Sequence, residues 1–136
     1  QSAGDINRAI ALYETTLAQS EQVLGHTHPH TLASRNNLAG SYTLAGKLER
    51  AIPILETTLA QREQVLGHTH PHTLASRNNL AGAYQSAGDI NRAIALYETT
   101  LAQSEQVLGH THPHTLGTRD NLAGAIRGRD KRASQG

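Results

Sequence analysis

All nine histidines of the chain fall in three copies of one run, His-Thr-His-Pro-His: His26, His28 and His30; His68, His70 and His72; His110, His112 and His114. Imidazole is a common metal ligand, and three rings so closely spaced form a pattern that zinc, nickel or copper can use. Two features weigh against that chemistry. Structural sites usually gather four ligands at helical or longer spacing, often with cysteine, whereas these runs hold no Asp, Glu or Cys. Pro29 also restricts how the rings beside it can converge. The runs therefore read first as entry turns to helices, with the nine histidines as subsidiary metal candidates and no metal or cofactor expected. Around pH ~6.5 an imidazole takes up a proton. Three such turns beside positive helix N-termini should then repel, and acid should loosen the structure.

Other chemistry finds little to work with. The chain has no cysteine, so thiol catalysis and disulfides are excluded. No Ser-His-acid set follows from spacing, no glycine-rich phosphate loop precedes a helix, and each His or Glu recurs from unit to unit as scaffold residues do. The expectation is a protein that is not an enzyme.

The elements that position these turns are written in a repeat. Residues 26–67 and 68–109 differ at ten of 42 positions, and residues 1–25 are identical to 85–109. Similarity at such a period marks a solenoid, in which each unit packs on its neighbours. The organisation read from this is a single array over 1–136. It comprises a half unit at 1–25, full units at 26–67 and 68–109, a half unit at 110–127, and a tail at 128–136 expected to fray. With four Tyr and no Phe, Trp or Met, the core must be built from Leu, Ile, Val and Ala. A formal charge of +1 gives no electrostatic footprint for nucleic acid or an anionic membrane. No apolar run approaches the ~18 residues that span a bilayer.

Two helical patterns alternate in each unit. Helix A, over about residues 29–44, carries Leu32, Ala33, Asn36, Leu38, Ala39, Tyr42 and Ala45 at helical spacing after Pro29, which suits a first turn. Gly46 and Gly88 end its two full copies. Helix B is clearest over residues 5–24, where Ile6, Ile10, Tyr13, Leu17 and Leu24 form one stripe and Asp5 is placed as the N-cap. Gly40 and Gly82 leave the middle of helix A bare, which should admit a neighbouring backbone. Pro53 falls inside the middle helix B, where it should bend the helix or remove a hydrogen bond unless it lies in the first turn.

The run Asn37-Leu38-Ala39, Tyr42, Gly46, Ala51 and its copy Asn79-Leu80-Ala81, Tyr84, Gly88, Ala93, Tyr97 resembles the tetratricopeptide repeat. That repeat usually spans about 34 residues. The longer period here is similar to the variety in kinesin light chains and in bacterial signalling ATPases. Departures are Thr16, Thr58 and Thr100 where the family has a small Ala, Leu55 in place of the aromatic seen at Tyr13 and Tyr97, and Ile126 to Asp130 in place of the Tyr-to-Gly pattern. The resemblance implies an all-α, right-handed superhelical solenoid of about six antiparallel helices. Its concave wall of A helices would hold an extended peptide of a protein partner. Carried onto this chain, that wall comprises Ala33, Asn36, Asn37, Gly40 and Thr43; Ala75, Asn78, Asn79, Gly82 and Gln85; and Gly117, Asp120, Asn121 and Arg127. Stacked amides offer both donors and acceptors to a peptide backbone. They serve equally well to hydrogen-bond the neighbouring unit. A carboxylate clamp is not expected, since Ala33, Ala75 and Gly117 are neutral. Arg35, Arg77 and Arg119 form a basic row nearby.

The ends suggest a further reading. The chain opens on a B helix without its A helix and closes on an A helix without its B, so head-to-tail self-association through the terminal helices is the alternative function. Lacking an initiator Met and starting in mid-unit, the sequence reads as a fragment of something longer. Cytoplasm is the default location.

Overall fold

A computed structural model describes residues 3–135. Gln1 and Ser2 of the first half unit, and Gly136 of the tail, lie outside the described residues. The elements are α1 (Ala3–Leu24), α2 (Pro29–Leu44), α3 (Leu48–Leu66), α4 (Pro71–Ser86), α5 (Ile90–Leu108) and α6 (Pro113–Gln135), with no strand among the described residues. They fall into two compact units, residues 1–65 and 66–136. In the first, α1 packs on α2. In the second, α5 packs on both α4 and α6, and α4 also touches α6.

The turn from helix A to helix B is set by a glycine. At the end of α2, Gly46 has φ +77°, its N–H donates to Thr43 O at 3.0 Å, and the Lys47 N–H donates to Tyr42 O at 2.8 Å. Gly88 repeats this with φ +90°, the Asp89 N–H reaching Tyr84 O at 2.9 Å. This paired closure needs a left-handed residue, which glycine adopts without a Cβ penalty. The equivalent position in α6 is Asp130, and there the expected fraying after Ile126 is corrected: α6 runs on to Gln135. Without a glycine to break the helix, continuing it satisfies the backbone.

Asp5 is also corrected as the N-cap of the first B helix. The helix begins at Ala3 and Asp5 sits within its first turn. In the identical α5 sequence, the turn at Gly88 forces a start at Ile90, and Asp89 takes the cap position without a side-chain cap bond. Pro53 lies inside α3, beyond its first turn, and is exposed. It therefore removes the N–H that would donate to the Glu49 carbonyl.

The core is aliphatic, joined by the buried Tyr42, Tyr84 and Tyr97. Leu32, Leu38, Ala39 and Leu55 in the first unit, and Leu80, Ala81, Ala93 and Ile94 in the second, are buried. Each large side chain buried this way contributes about 1.5–3 kcal/mol. Thr58 and Thr100, fully buried where the family has Ala, satisfy their hydroxyls on Ile54 O and Leu96 O, both at 2.8 Å. Residues 6–24 and 90–108 are the same sequence in different settings. Tyr97 is 3% and Thr100 0% exposed in α5, which has A helices on two sides, whereas Tyr13 is half-buried and Thr16 exposed in α1. Packing, and not sequence, sets that difference.

Candidate functional site

The histidine turns have a structural explanation that spacing did not reveal. The middle ring of each run caps the following helix. His28 Nδ1 accepts from the His30 N–H at 3.1 Å, His70 from His72 at 3.0 Å and His112 from His114 at 3.1 Å. His28 and His70 have the extended backbone of an N-cap, with proline next in the chain. Imidazole here does what Ser, Thr, Asp or Asn usually does, taking one of the helix's orphan donors. A non-standard acceptor directly before an N1 proline was the signal available in the sequence.

The outer rings have other settings. His26 Nδ1 lies 3.5 Å from Glu21 Oε2 and 3.1 Å from the Arg35 guanidinium. His110 lies 3.4 Å from Glu105. The His70 and His72 rings stack with centroids 5.2 Å apart. His114 is half-buried, and burial, followed by the neighbouring His112, lowers its pKa. Among the described residues no three His, Asp or Glu side chains are arranged to hold a metal ion.

The arginine row is turned inward. Arg35, 7% exposed on α2, donates to Glu21 of α1 at 2.9 Å and to Gln61 of α3. Arg77 on α4 is 3% exposed, donating to Gln103 of α5 and to His68 O at 3.2 Å. Arg119 on α6 repeats the backward contact, to Glu105 of α5 at 2.9 Å, but its side chain remains 43% exposed. That hydrogen bond is the main reason Glu105 titrates below the usual carboxylate range. Tyr42 adds a second polar tie, donating to Glu14 at 2.5 Å, an interaction that with burial raises its pKa. Arg35 and Arg77 thus hold helices together and are buried away from a ligand carboxylate, whereas Arg119 is only partly covered.

The amide positions divide by register. Asn37 and Asn79, and Asp120 and Asn121, are exposed; Asn36, Thr43, Asn78 and Gln85 are half-buried. Asn78 donates to the Thr118 hydroxyl of α6 at 2.7 Å, which is the inter-repeat role expected of a stacked amide. The Oδ1 atoms of Asn36 and Asn78 are buried without a hydrogen-bond partner. Gly40 has open space where a Cβ would stand, whereas a Cβ at Gly82 would meet the Tyr97 hydroxyl at 3.5 Å. Leu55 replaces that tyrosine opposite Gly40, so the expected close approach at Gly40 is absent. In the first unit the bare floor and amides lie on α2. In the second they lie on the paired helices α4 and α6. A cleft of about 450 Å³ between α1 and α3, lined by Leu17, Ile54, Thr57 and Arg35 among others, contains none of these amides.

Comparison with known proteins gives one consistent result. A tetratricopeptide repeat family profile matches residues 1–60, 36–106 and 77–134. Among solved structures, the chain is similar to a Podosopora anserina protein described as a kinesin light chain with nearly identical TPR-like repeats. The identity is 33%, the TM-score 0.86, and the match covers 93% of this chain and 60% of that one. A point variant of the same Podosopora anserina protein matches at 32% identity and TM-score 0.85, over 97% and 63% of the two chains. BtubC (BKLC) from P. vanneervenii matches at 25% identity and TM-score 0.82, over 91% and 50%. The chain thus spans between 50% and 63% of the length of these structures. No curated protein matches. No described helix is long and apolar enough to cross a membrane. Three overlapping matches along the sequence, together with helix pairs closed by Gly46 and Gly88, show that the chain belongs to the tetratricopeptide repeat family.

Proposed function

We propose that the chain is a cytoplasmic protein-interaction scaffold that holds an extended peptide of a partner protein along its A helices. Tetratricopeptide repeats mediate protein–protein interaction and scaffolding. The observation that carries the finer reading is the pairing of the exposed Asn37 amide with open space over Gly40, one turn further along α2. A peptide backbone can approach closely over a glycine, and an amide beside it offers two donors and an acceptor. Asn79 and Asn121 present the same exposed amide on α4 and α6, and the exposed Asp120 favours a peptide with a basic residue. The test uses phage-displayed random peptides selected on the wild-type chain. Replacing Asn37, Asn79 and Asn121 together by Ala removes only exposed side chains, so the far-UV helix signal stays and capture of the selected peptides falls. Undiminished capture overturns the reading.

A second reading, open head-to-tail self-assembly through the terminal helices, is favoured by one observation. Leu116 on α6 is 42% exposed, whereas its counterparts Leu32 and Leu74 are 1% and 0% exposed. Light scattering across a wide concentration range tests it, and a constant monomer mass overturns it.

A further inference from the structure

The cleft between α1 and α3 differs in chemistry from the A-helix faces. It is lined only by residues of the first unit and has a volume of about 450 Å³. Small-molecule sites run from about 300 to 1,000 Å³. One end is apolar. Leu17 of α1 faces Ile54 of α3, both half-buried, and the exposed Pro53 adds its ring where Ala11 and Ala95 stand in the other two B helices. Along α3 the lining passes through Thr57 to Gln61, so the cleft grades from apolar to polar over roughly 10 Å, two helical turns.

At the polar end charge is already compensated. Arg35, 7% exposed, donates to Glu21 Oε2 at 2.9 Å and to Gln61 Oε1. A lone carboxylate or ammonium seated beside this pair would lose its hydration without gaining a free counter-ion. What remains is hydrogen-bonding capacity. With Oε1 taken, Gln61 keeps both hydrogens on Nε2, and Glu21 keeps Oε1, since the hydrogen bond and both ion contacts of its carboxylate are made by Oε2. Both groups are anchored on one guanidinium, which brings the free donor and the free acceptor near each other. Thr57 adds a third group. Its counterparts Thr15 and Thr99 donate to Ala11 O at 3.1 Å and Ala95 O at 3.2 Å, whereas Thr57 makes no hydrogen bond among the described residues.

We propose that this cleft binds a small aliphatic amide, an uncharged amide head on a medium-length hydrocarbon chain. The chain lies along Leu17, Pro53 and Ile54. The amide oxygen accepts from Gln61 Nε2–H, and the amide N–H donates to Glu21 Oε1. An amide is the neutral group that carries an acceptor and a donor side by side, which is what this end of the cleft leaves unused. A fatty acid would set its carboxylate against Glu21, and an alkylammonium would meet Arg35. The site shares no residue with Asn37, Gly40 or their counterparts, so it goes beyond the peptide reading and does not depend on it.

Octanamide titrated into the isotope-labelled 136-residue chain and followed by NMR tests this. It should shift the Gln61 side-chain amide and the Thr57 signals and saturate by about 1 mM. Hexanamide, two methylenes shorter, should bind about tenfold more weakly. Octanoate and octylammonium carry the same chain on charged heads and should lose about tenfold or more against octanamide. Thr57→Phe puts a ring into the cleft from an exposed position, so the fold is retained and binding is lost. Gln61→Glu keeps an oxygen for Arg35 while removing the free N–H, and should weaken octanamide about tenfold. No shift with octanamide, octanoate binding as tightly, or unchanged binding by Thr57→Phe overturns the site. Unchanged binding by Gln61→Glu overturns the seating of the amide head.

Discussion

Arg35 donates to Glu21 at 2.9 Å, and Arg119 donates to Glu105 at the same distance, each from helix A back to the helix B before it. The difference lies ahead of them. Arg35 also reaches forward to Gln61 of α3, whereas nothing lies ahead of Arg119 among the described residues. One residue type at one register is thus a buried clamp in one place and a half-open one in another. This determines what its removal costs.

Arg35→Ala should destabilise the chain by about 2–3 kcal/mol, because it leaves Glu21 and Gln61 without their charged donor in a site only 7% exposed. Arg119→Ala, at a partly exposed contact, should cost clearly less. Urea unfolding followed by circular dichroism measures both. Equal losses would show that the forward contact to Gln61 carries no stability.

Gly40→Ala should stabilise by about 1 kcal/mol, since the residue is inside α2 and a Cβ there meets nothing within 4 Å. Gly46→Ala should do the reverse, because its φ of +77° is one that an L side chain adopts only with strain. The same urea experiment reads both signs, and a destabilised Gly40→Ala would mean that the space over α2 is already filled.

Replacing a capping histidine should cost about what other N-caps cost. His28→Ala should lose about 1 kcal/mol and His28→Asn little or nothing. His70 and His112 should behave alike, and zinc should leave the melting temperature of the wild type where it was. A rise in melting temperature with zinc would return the runs to metal chemistry.

Acid should destabilise the chain in two stages. The His114 pKa is lowered in the folded state by burial, so the unfolded chain binds the proton more readily. The stability from keeping His114 neutral is present above the ordinary imidazole value of ~6.5 and is lost as pH falls below it. Glu105, whose folded-state pKa is lowered chiefly by Arg119, contributes above the ordinary carboxylate value of ~4.3 and loses that contribution as pH falls through the lowered one. A melting temperature that does not change between about pH 8 and about pH 5.5 contradicts the first stage.

The repeat made the helices legible. Pro29 and Gly46 mark the ends of helix A, and the Ile6, Ile10, Tyr13, Leu17 stripe marks helix B, because proline, glycine and helical spacing act locally. What the sequence concealed depends on neighbours. The caps at His28, His70 and His112 were hidden because imidazole is not a customary cap. The inward turn of Arg35 and Arg77 was hidden because composition treats arginine as a surface residue. Asp130 carried a readable signal, the loss of the left-handed glycine, yet a polar tail suggested fraying while an unbroken helix satisfied more of the backbone. Asn78 was legible as a residue type but ambiguous in role, and its bond to Thr118 joins residues far apart in the chain. Tyr13 and Tyr97 are identical in sequence context and differ only in what packs against them.

Hydrogen exchange with a selected peptide bound tests the central claim most directly. Binding along the A helices predicts added protection, and shifts of the Asn37, Asn79 and Asn121 side-chain amides, confined to α2, α4 and α6. Protection that appears instead on α1, α3 and α5, with those amides unmoved, would contradict it.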